Sequence, residues 1–124
     1  METENVERFL ERTPARKKRP PGLEGVRGRI RFETEDGRGA YLLRIKDDEV
    51  ELTTGGDDAE AVVVCDTKAL IARLLRGEAN LVVETLQGHT SQRGDVALAI
   101  KAALGLQAGS PFAGGEQISK EAPP

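Results

Sequence analysis

The sequence predicts an α+β fold in which one stretch of the chain forms a sheet and the segments around it form helices. Four segments between residues 28 and 65 have the composition and periodicity of β-strands. Segments with helical spacing lie before and after them, and Asp36-Gly37 marks a hairpin turn. A strand meander with helices gathered at its ends is typical of α+β domains whose helices cover one face of the sheet.

The strand predictions follow from side-chain alternation. Residues 28–34 place Ile30, Phe32 and Thr34 on one face and charged residues on the other, as expected for a half-buried strand. Residues 40–46 and 49–53 alternate in the same way. Residues 61–65 form a continuous apolar run, which predicts a strand buried on both faces. Residues 88–94 are an extended polar segment bounded by two glycines.

Helical spacing and capping residues indicate where the helices lie. One helix is predicted in the first segment, ending before Pro14. A second begins after Asp66 or Thr67, and a last one begins after Asp95. Residues 81–86 fit either a small helix or an irregular turn.

The chain divides into three parts at this level. Residues 1–22 are an N-terminal helix and a basic connector, residues 23–106 are the folded domain, and residues 107–124 are a flexible tail. The tail prediction follows from composition, because the chain from Gly105 onward is rich in Gly, Ala, Pro and Ser and lacks periodicity.

Composition limits the classes of protein that fit. A chain of 124 residues with 38% hydrophobic and 31% charged residues is suited to one ordinary domain. Its one cysteine, Cys65, excludes an internal disulfide and a multi-cysteine metal cluster. The sequence has no apolar run approaching the ~20 residues that cross a bilayer. Because the N-terminus opens with acidic residues and lacks the pattern of a secretion signal, we expect a cytoplasmic protein.

Charge is distributed unevenly along the chain. From Arg12 to Arg31 there are eight basic residues and one acid, a local charge of +7, whereas the whole chain has a net charge of −3. The basic run predicts weak contact with anionic membranes, with a solvated linker as the alternative; its members are Arg16, Lys17, Lys18 and Arg19. Nucleic acid is not expected as a partner, because the chain is acidic overall and has no aromatic stacking residues near the run.

The residues that carry chemistry do not form a recognisable catalytic set. His89 is the one histidine, and it can serve Ser91 or Cys65 as a base only if folding brings them together. Neither a P-loop nor a dinucleotide fingerprint occurs, and the acidic doublets at 47–48 and 57–58 lack the pattern of a calcium loop. We therefore expect no enzymatic activity, no cofactor and no metal site.

The order of these elements resembles the sterol carrier protein 2 family of lipid-binding domains. The resemblance extends from about Leu23 to Leu106, roughly two thirds of the chain. It includes the strand at 28–32, the hairpin at 36–37, the strand at 61–64 and the capped helix through 70–77. Its most specific part is a glycine, five residues, and then Gly94-Asp95 at the start of a last apolar helix. The resemblance implies a five-stranded, mainly antiparallel sheet with helices on one face. It also implies an apolar tunnel that binds a lipid or another apolar small molecule without catalysis.

Face and position along the chain select the candidate lining of that tunnel. The candidates are Phe32, Leu43, Leu70, Leu74, Thr90, Gln92, Ile100 and Leu104. The last strand departs from the family, whose members usually alternate apolar residues between the two glycines. This strand is therefore either an exposed edge or a polar wall of the cavity. An exposed strand offers backbone groups to a partner, so the alternative function is a non-enzymatic interaction module, such as a homodimer paired through this strand.

Overall fold

A six-stranded sheet is the main element of the computed structural model, which describes residues 9–55 and 58–112. Its strands are β1 (Ala15–Lys18), β2 (Gly28–Thr34), β3 (Ala40–Ile45), β4 (Glu49–Thr54), β5 (Ala61–Cys65) and β6 (Thr90–Gly94). Three α-helices are described, namely α1 (Lys68–Leu75), α2 (Leu81–Leu86) and α3 (Val96–Gly109), with 3-10 turns at Phe9–Arg12 and Pro21–Leu23. The strand order is β1-β4-β3-β2-β5-β6, and only β2 and β5 pair in parallel. The predicted α+β fold is confirmed.

One face of the sheet and the buried sides of the helices form a single hydrophobic core. In β2 the residues that alternation places on one face, Ile30, Phe32 and Thr34, are buried. In β5 the burial also alternates, so Val62 and Val64 on the other face are only half-buried. The prediction that β5 is buried on both faces is therefore wrong, because the helices pack on the inner face alone.

The outer face of the sheet carries charged residues that pair with one another. Arg44 contacts Glu51 at 3.3 Å, and Arg31 and Arg93 contact Glu33 at 2.9 and 3.2 Å. Arg44 and Glu51 face each other on β3 and β4, which supports the pairing of those two strands, although exposed pairs contribute little each. The face is thus solvated, and one of these ion pairs links neighbouring strands.

The sixth strand corrects the interpretation of the basic connector. Residues 15–18 form β1, which pairs antiparallel with β4 and adds a strand to the five that were predicted. The register sets Arg16 opposite Glu51 and Lys18 opposite Glu49, so the two segments are complementary in charge. Only part of the predicted N-terminal helix is described, and that part, Phe9–Arg12, is a 3-10 turn. Residues 1–8 lie outside the described residues.

The helices begin at the predicted caps. Thr67 accepts a hydrogen bond from the backbone N–H of Leu70 at 3.1 Å, and Asp95 accepts one from Leu98 at 3.0 Å. None of the helices described between residues 9 and 112 is long and apolar enough to span a membrane.

The last helix extends beyond the predicted end of the domain. It runs to Gly109, so the first three residues of the predicted tail are helical. Beyond it, the Ser110 hydroxyl donates to the Leu75 carbonyl at 2.6 Å, and Phe112 is buried. The predicted boundary at residue 106 therefore falls inside α3, and residues 113–124 lie outside the described residues.

Candidate functional site

An apolar groove lies between α2, β6 and α3. Its volume is about 120 Å³, and it is lined by Leu81, Val82, Thr85, Leu86, Gln92 and Ile100. Four of these six side chains are aliphatic, and none is charged. Two of the residues that the sequence predicted, Gln92 and Ile100, therefore lie in the lining of this groove.

Helix α2 is the most loosely buried wall of the groove. It has six residues, and Leu81 is its one buried residue. Val82, Val83 and Leu86 are 41%, 44% and 82% exposed. Most helical stability in proteins comes from packing of an apolar face, and α2 has little of it. The helix therefore depends on its polar attachments.

Those attachments hold both ends of α2. At its start Asn80 accepts a hydrogen bond from the N–H of Val83 at 2.9 Å, and its amide nitrogen donates to Gln107 of α3 at 3.1 Å. At its end His89 Nδ1 lies 2.8 Å from Glu84 Oε1. These contacts fix α2 against α3 and against the segment that leads into β6.

A polar cluster joins the middle of α2 to β6. Thr85 Oγ1 lies 2.7 Å from Thr90 Oγ1 and accepts from Gln92 Nε2 at 2.6 Å. The Thr85 hydroxyl also donates to the Leu81 carbonyl at 2.7 Å. Thr90 is 7% exposed, so its hydroxyl depends on this cluster for a partner. The polar strand β6 thus directs the side chains of Thr90 and Gln92 toward the helices, where Thr85 of α2 is their hydrogen-bond partner.

The remaining candidate residues separate into two groups. Phe32, Leu43, Leu70 and Leu74 are buried at 6% exposure or less and belong to the continuous core. Leu104, one helical turn beyond Ile100, is 52% exposed. The groove itself is smaller than the ~300 to 1,000 Å³ of usual small-molecule sites. A ligand of ordinary lipid size therefore needs more room than the groove has in this conformation.

Sequence reasoning missed the contribution of α2 to this site. Leu81, Val82, Thr85 and Leu86 were not among the candidates, because residues 81–86 fitted a helix and an irregular turn equally well. The signal was nevertheless present. Asn80 is a capping residue, and four of the six residues after it are apolar although the segment is too short to be wholly buried.

His89 lies just before β6, next to the end of β5 that carries Cys65, but the two side chains have different surroundings. Cys65 lies buried on the inner face of β5, and burial raises the pKa of its thiol to about 12. His89 is half-exposed and contacts Glu84, a carboxylate, rather than a nucleophile. Within residues 9–55 and 58–112, no cluster of three or more potential ligands of the His, Cys, Asp or Glu type is placed to hold a metal ion.

The basic run lies at the edge of the sheet that is far from the groove. Arg16 contacts Glu49 at 3.1 Å, and the N–H of Arg19 donates to the carbonyl of Asp48 at 3.1 Å. The hydrogen bond from Arg16 lowers the pKa of Glu49, as does the nearby Lys46. Lys17 and Lys18 are exposed on the same strand.

Comparison with known proteins places this geometry in a family. The profile of the SCP-2 sterol transfer family matches residues 6–104. A solved ubiquinone synthesis protein, UbiJ-SCP2, is 18% identical over 86% of this chain and 93% of its own, with a TM-score of 0.58. The sterol carrier protein domain 2 of Helicoverpa armigera is 22% identical over 91% and 86%, with a TM-score of 0.53.

A third similar structure is palmitated SCP2L2 from Aedes aegypti. It is 18% identical over 83% of this chain and 90% of its own, with a TM-score of 0.52. At these identities the likeness shows a shared fold. No curated protein sequence matches the chain. The profile match covers most of the chain, which therefore belongs to the SCP-2 sterol transfer family.

Proposed function

We propose that this protein binds a lipid or another apolar small molecule, without catalysis, in the groove between α2, β6 and α3. The observation that carries the proposal is the aliphatic lining of the groove beside side chains that α2 leaves exposed, Val82 and Leu86. Covering an exposed aliphatic side chain completely is favourable by roughly 1.5–3 kcal/mol. A ligand chain in the groove gains part of that energy for each such residue.

Displacement of α2 supplies the room that the groove lacks. Because Leu81 is the one buried residue of α2, moving this helix exposes little apolar surface. Leu81 belongs to the hydrophobic core and Ile100 packs against it, and the same core contains Leu70, Leu74, Phe32 and Leu43. We propose these four, with Ile100 and Leu104, as the residues that a longer chain contacts after α2 has moved.

A matched pair of substitutions tests the groove. Val82 and Val83 are neighbours on α2 with similar exposure, but only Val82 lines the groove. We expect Val82→Ser to weaken binding of the neutral dye N-phenyl-1-naphthylamine by about fivefold, the loss of roughly 1 kcal/mol of apolar contact. Val83→Ser should leave the dissociation constant unchanged.

Equal effects of the two substitutions would argue against the groove. Native mass spectrometry of protein purified from its own host provides the second test, because a bound lipid adds a defined mass. Protein that is consistently free of ligand, together with no dye binding, would contradict the proposal.

We further propose that the basic run gives weak contact with anionic membranes. Lys17 and Lys18 are exposed at the edge of the sheet, and each basic residue near an anionic surface contributes about 1 kcal/mol. The pairing of Arg16 with Glu49 reduces its share. Co-sedimentation with anionic vesicles should decrease when Lys17, Lys18 and Arg19 are changed to Gln. A control with the same charge change, in which the exposed Arg38, Arg73 and Lys101 become Gln, should decrease less.

A second candidate function is self-association through β6. This strand ends the sheet, and within the described residues its outer edge pairs with no strand. The other edge strand, β1, is protected by three consecutive basic residues, a feature that discourages edge pairing. Light scattering at high concentration tests this candidate, and a monomer would remove it.

A further inference from the structure

The groove has one polar corner, and each hydrogen bond of its hydroxyl and amide groups can be assigned a donor and an acceptor. Thr85 and Gln92 are the two polar residues of the lining, and Thr90 lies behind them. The Thr85 hydroxyl has one hydrogen, which it donates to the Leu81 carbonyl at 2.7 Å. In the 2.7 Å contact between the two threonines, Thr90 is therefore the donor.

The same accounting determines what Gln92 offers to a ligand. Its Nε2 donates to Thr85 Oγ1 at 2.6 Å, and with the bond from Thr90 this fills both lone pairs of that oxygen. The 3.5 Å contact of Nε2 with Thr90 Oγ1 shares the same amide hydrogen, because the two threonine oxygens lie in nearly the same direction from Nε2, whereas the two amide hydrogens point about 120° apart. The second amide hydrogen and Oε1 are left over, and no described residue pairs with either. The polar corner therefore presents one donor and one acceptor to a ligand.

A donor and an acceptor side by side in an apolar groove select for a ligand group that can both accept and donate. When a ligand displaces water from the groove, Oε1 loses a hydrogen bond unless the ligand supplies a hydrogen. A hydroxyl group supplies one, whereas an ether, an ester or a ketone does not. The polar corner thus distinguishes ligands of similar size by hydrogen-bond donation.

The charges around the groove disfavour a carboxylate. None of the lining residues is basic, and burial of an anion without a partner is costly. The nearest charged residue on α2 is Glu84, an acid engaged by His89. Arg93 follows Gln92 in β6 but contacts Glu33 on the opposite face of the sheet. A fatty acid in its ionised form therefore finds no counter-charge in the lining.

The size of the groove points to a single chain. Its volume of about 120 Å³ is a fraction of the ~300 Å³ at the low end of small-molecule sites. Before α2 moves, it suits a head group and the first carbons of one alkyl chain.

From these three observations we infer that the preferred ligand is a neutral, single-chain lipid with a hydroxyl group, of the fatty-alcohol or monoacylglycerol type. Its hydroxyl donates to Gln92 Oε1, and its chain follows the aliphatic lining toward Ile100. The inference rests on the proposed function, because it assigns the ligand class of the same groove.

Two ligands of similar length separate hydrogen-bond donation from hydrophobicity. 1-Octanol donates a hydrogen bond, whereas octyl methyl ether only accepts and is the more hydrophobic of the two. In titrations of ¹⁵N-labelled protein followed by NMR, we expect the alcohol to bind about fivefold more tightly than the ether. We expect it to bind at least about tenfold more tightly than octanoate at pH 7. The side-chain amide signal of Gln92 should shift with the alcohol.

Two variants test the assigned residue. Gln92→Met keeps the length of the side chain and removes the acceptor, so the order of alcohol and ether should reverse. Gln87→Met is the matched control, because Gln87 is exposed just after α2 and does not line the groove. It should keep the wild-type order.

The outcomes separate this inference from the function on which it rests. If none of the three ligands binds, the proposed function fails and the inference fails with it. If the ligands bind but the ether equals or exceeds the alcohol in the wild type, the groove binds apolar molecules and the inference is wrong. An alcohol preference that survives Gln92→Met overturns the role of Gln92. The wild-type comparison needs no variant, so it holds even where a substitution affects folding.

Discussion

The polar cluster that attaches α2 to β6 can be tested by removing its central hydroxyl. Thr85→Val keeps the shape of the side chain and deletes the atom that contacts both Thr90 and Gln92. Gln92 is half-buried and can turn to water, whereas the Thr90 hydroxyl, 7% exposed, cannot. One stranded buried hydroxyl costs about 1–3 kcal/mol. Because the contacts at both ends of α2 remain, we expect a loss in the lower part of that range, about 1–2 kcal/mol in the free energy of unfolding.

Urea unfolding followed by circular dichroism measures this loss, and Thr85→Ser is the control. Serine retains the hydroxyl and loses one methyl group, so it should remain within about 1 kcal/mol of the wild type. Hydrogen exchange adds a local measurement, since amides of α2 should exchange faster in Thr85→Val while those of α1 stay protected. A Thr85→Val protein as stable as the wild type, or a serine variant equally weakened, would refute the assignment of Thr85 as the attachment.

Three further predictions concern the scaffold. Gly77→Ala should lower the free energy of unfolding by on the order of 2–4 kcal/mol, measured with urea or heat, because its φ is +77° and a Cβ would meet a backbone carbonyl of α3. Gly37 is the control, since its φ is +76° but the space around it is open, and Gly37→Ala should cost about 1 kcal/mol. Cys65 should resist thiol reagents at pH 8 until the protein unfolds, because a pKa of about 12 leaves only about one thiol in 10⁴ as the reactive thiolate. Rapid labelling of the native protein would contradict the burial of Cys65. Hydrogen bonds from the Arg29 side chain and backbone N–H lower the pKa of Glu60. Its contribution to stability is therefore present above the ordinary pKa of 4.5 and is lost as the pH falls through the lower pKa of the folded state. Glu60→Gln should flatten the dependence of the free energy of unfolding on pH in this range, and an unchanged slope would count against the prediction.

Alternation was sufficient to predict β2, β3 and β4. It works there because one face meets the helices and the other meets water, so each residue position has a distinct environment. β1 escaped this reasoning, since its residues Arg16, Lys17 and Lys18 are exposed and show no period. Its position is determined by pairing with carboxylates more than 30 residues away in sequence, which the local sequence does not reveal.

Glycine explains why the end of the domain was placed too early. Gly105 was taken as the start of the tail because the chain from that residue onward is rich in Gly, Ala, Pro and Ser and lacks periodicity. In the structure Gly105 lies inside α3, and a Cβ there would approach the backbone of Gly22 and the side chain of Leu23. The residue is small because the 3-10 turn at Pro21–Leu23 packs directly on the helix. Composition alone does not distinguish a packing glycine from a terminating one.

The candidate site was predicted in part for a related reason. Gln92 and Ile100 were placed correctly by the face of the strand and the stripe of the helix on which they lie. The four residues of α2 were not, because six residues contain too little periodicity to define a helix face. The site thus combines two elements with a strong sequence pattern and one whose position depends on the hydroxyl cluster centred on Thr85.

The basic residues proposed to contact membranes and the groove proposed to bind a ligand lie at opposite edges of the sheet, so we expect the two surfaces to act independently. β1 and β6 are the outermost of six strands, and five spacings of about 4.8 Å place them roughly 24 Å apart. A membrane that meets the basic residues of β1 therefore does not cover the groove beside β6. The basic edge affects how often the protein encounters an anionic surface, and the groove determines which molecule it holds. Changing Lys17, Lys18 and Arg19 to Gln should accordingly lower vesicle association and leave the affinity for 1-octanol unchanged. A parallel loss of both would mean that the two ends are coupled through a movement that this conformation does not contain.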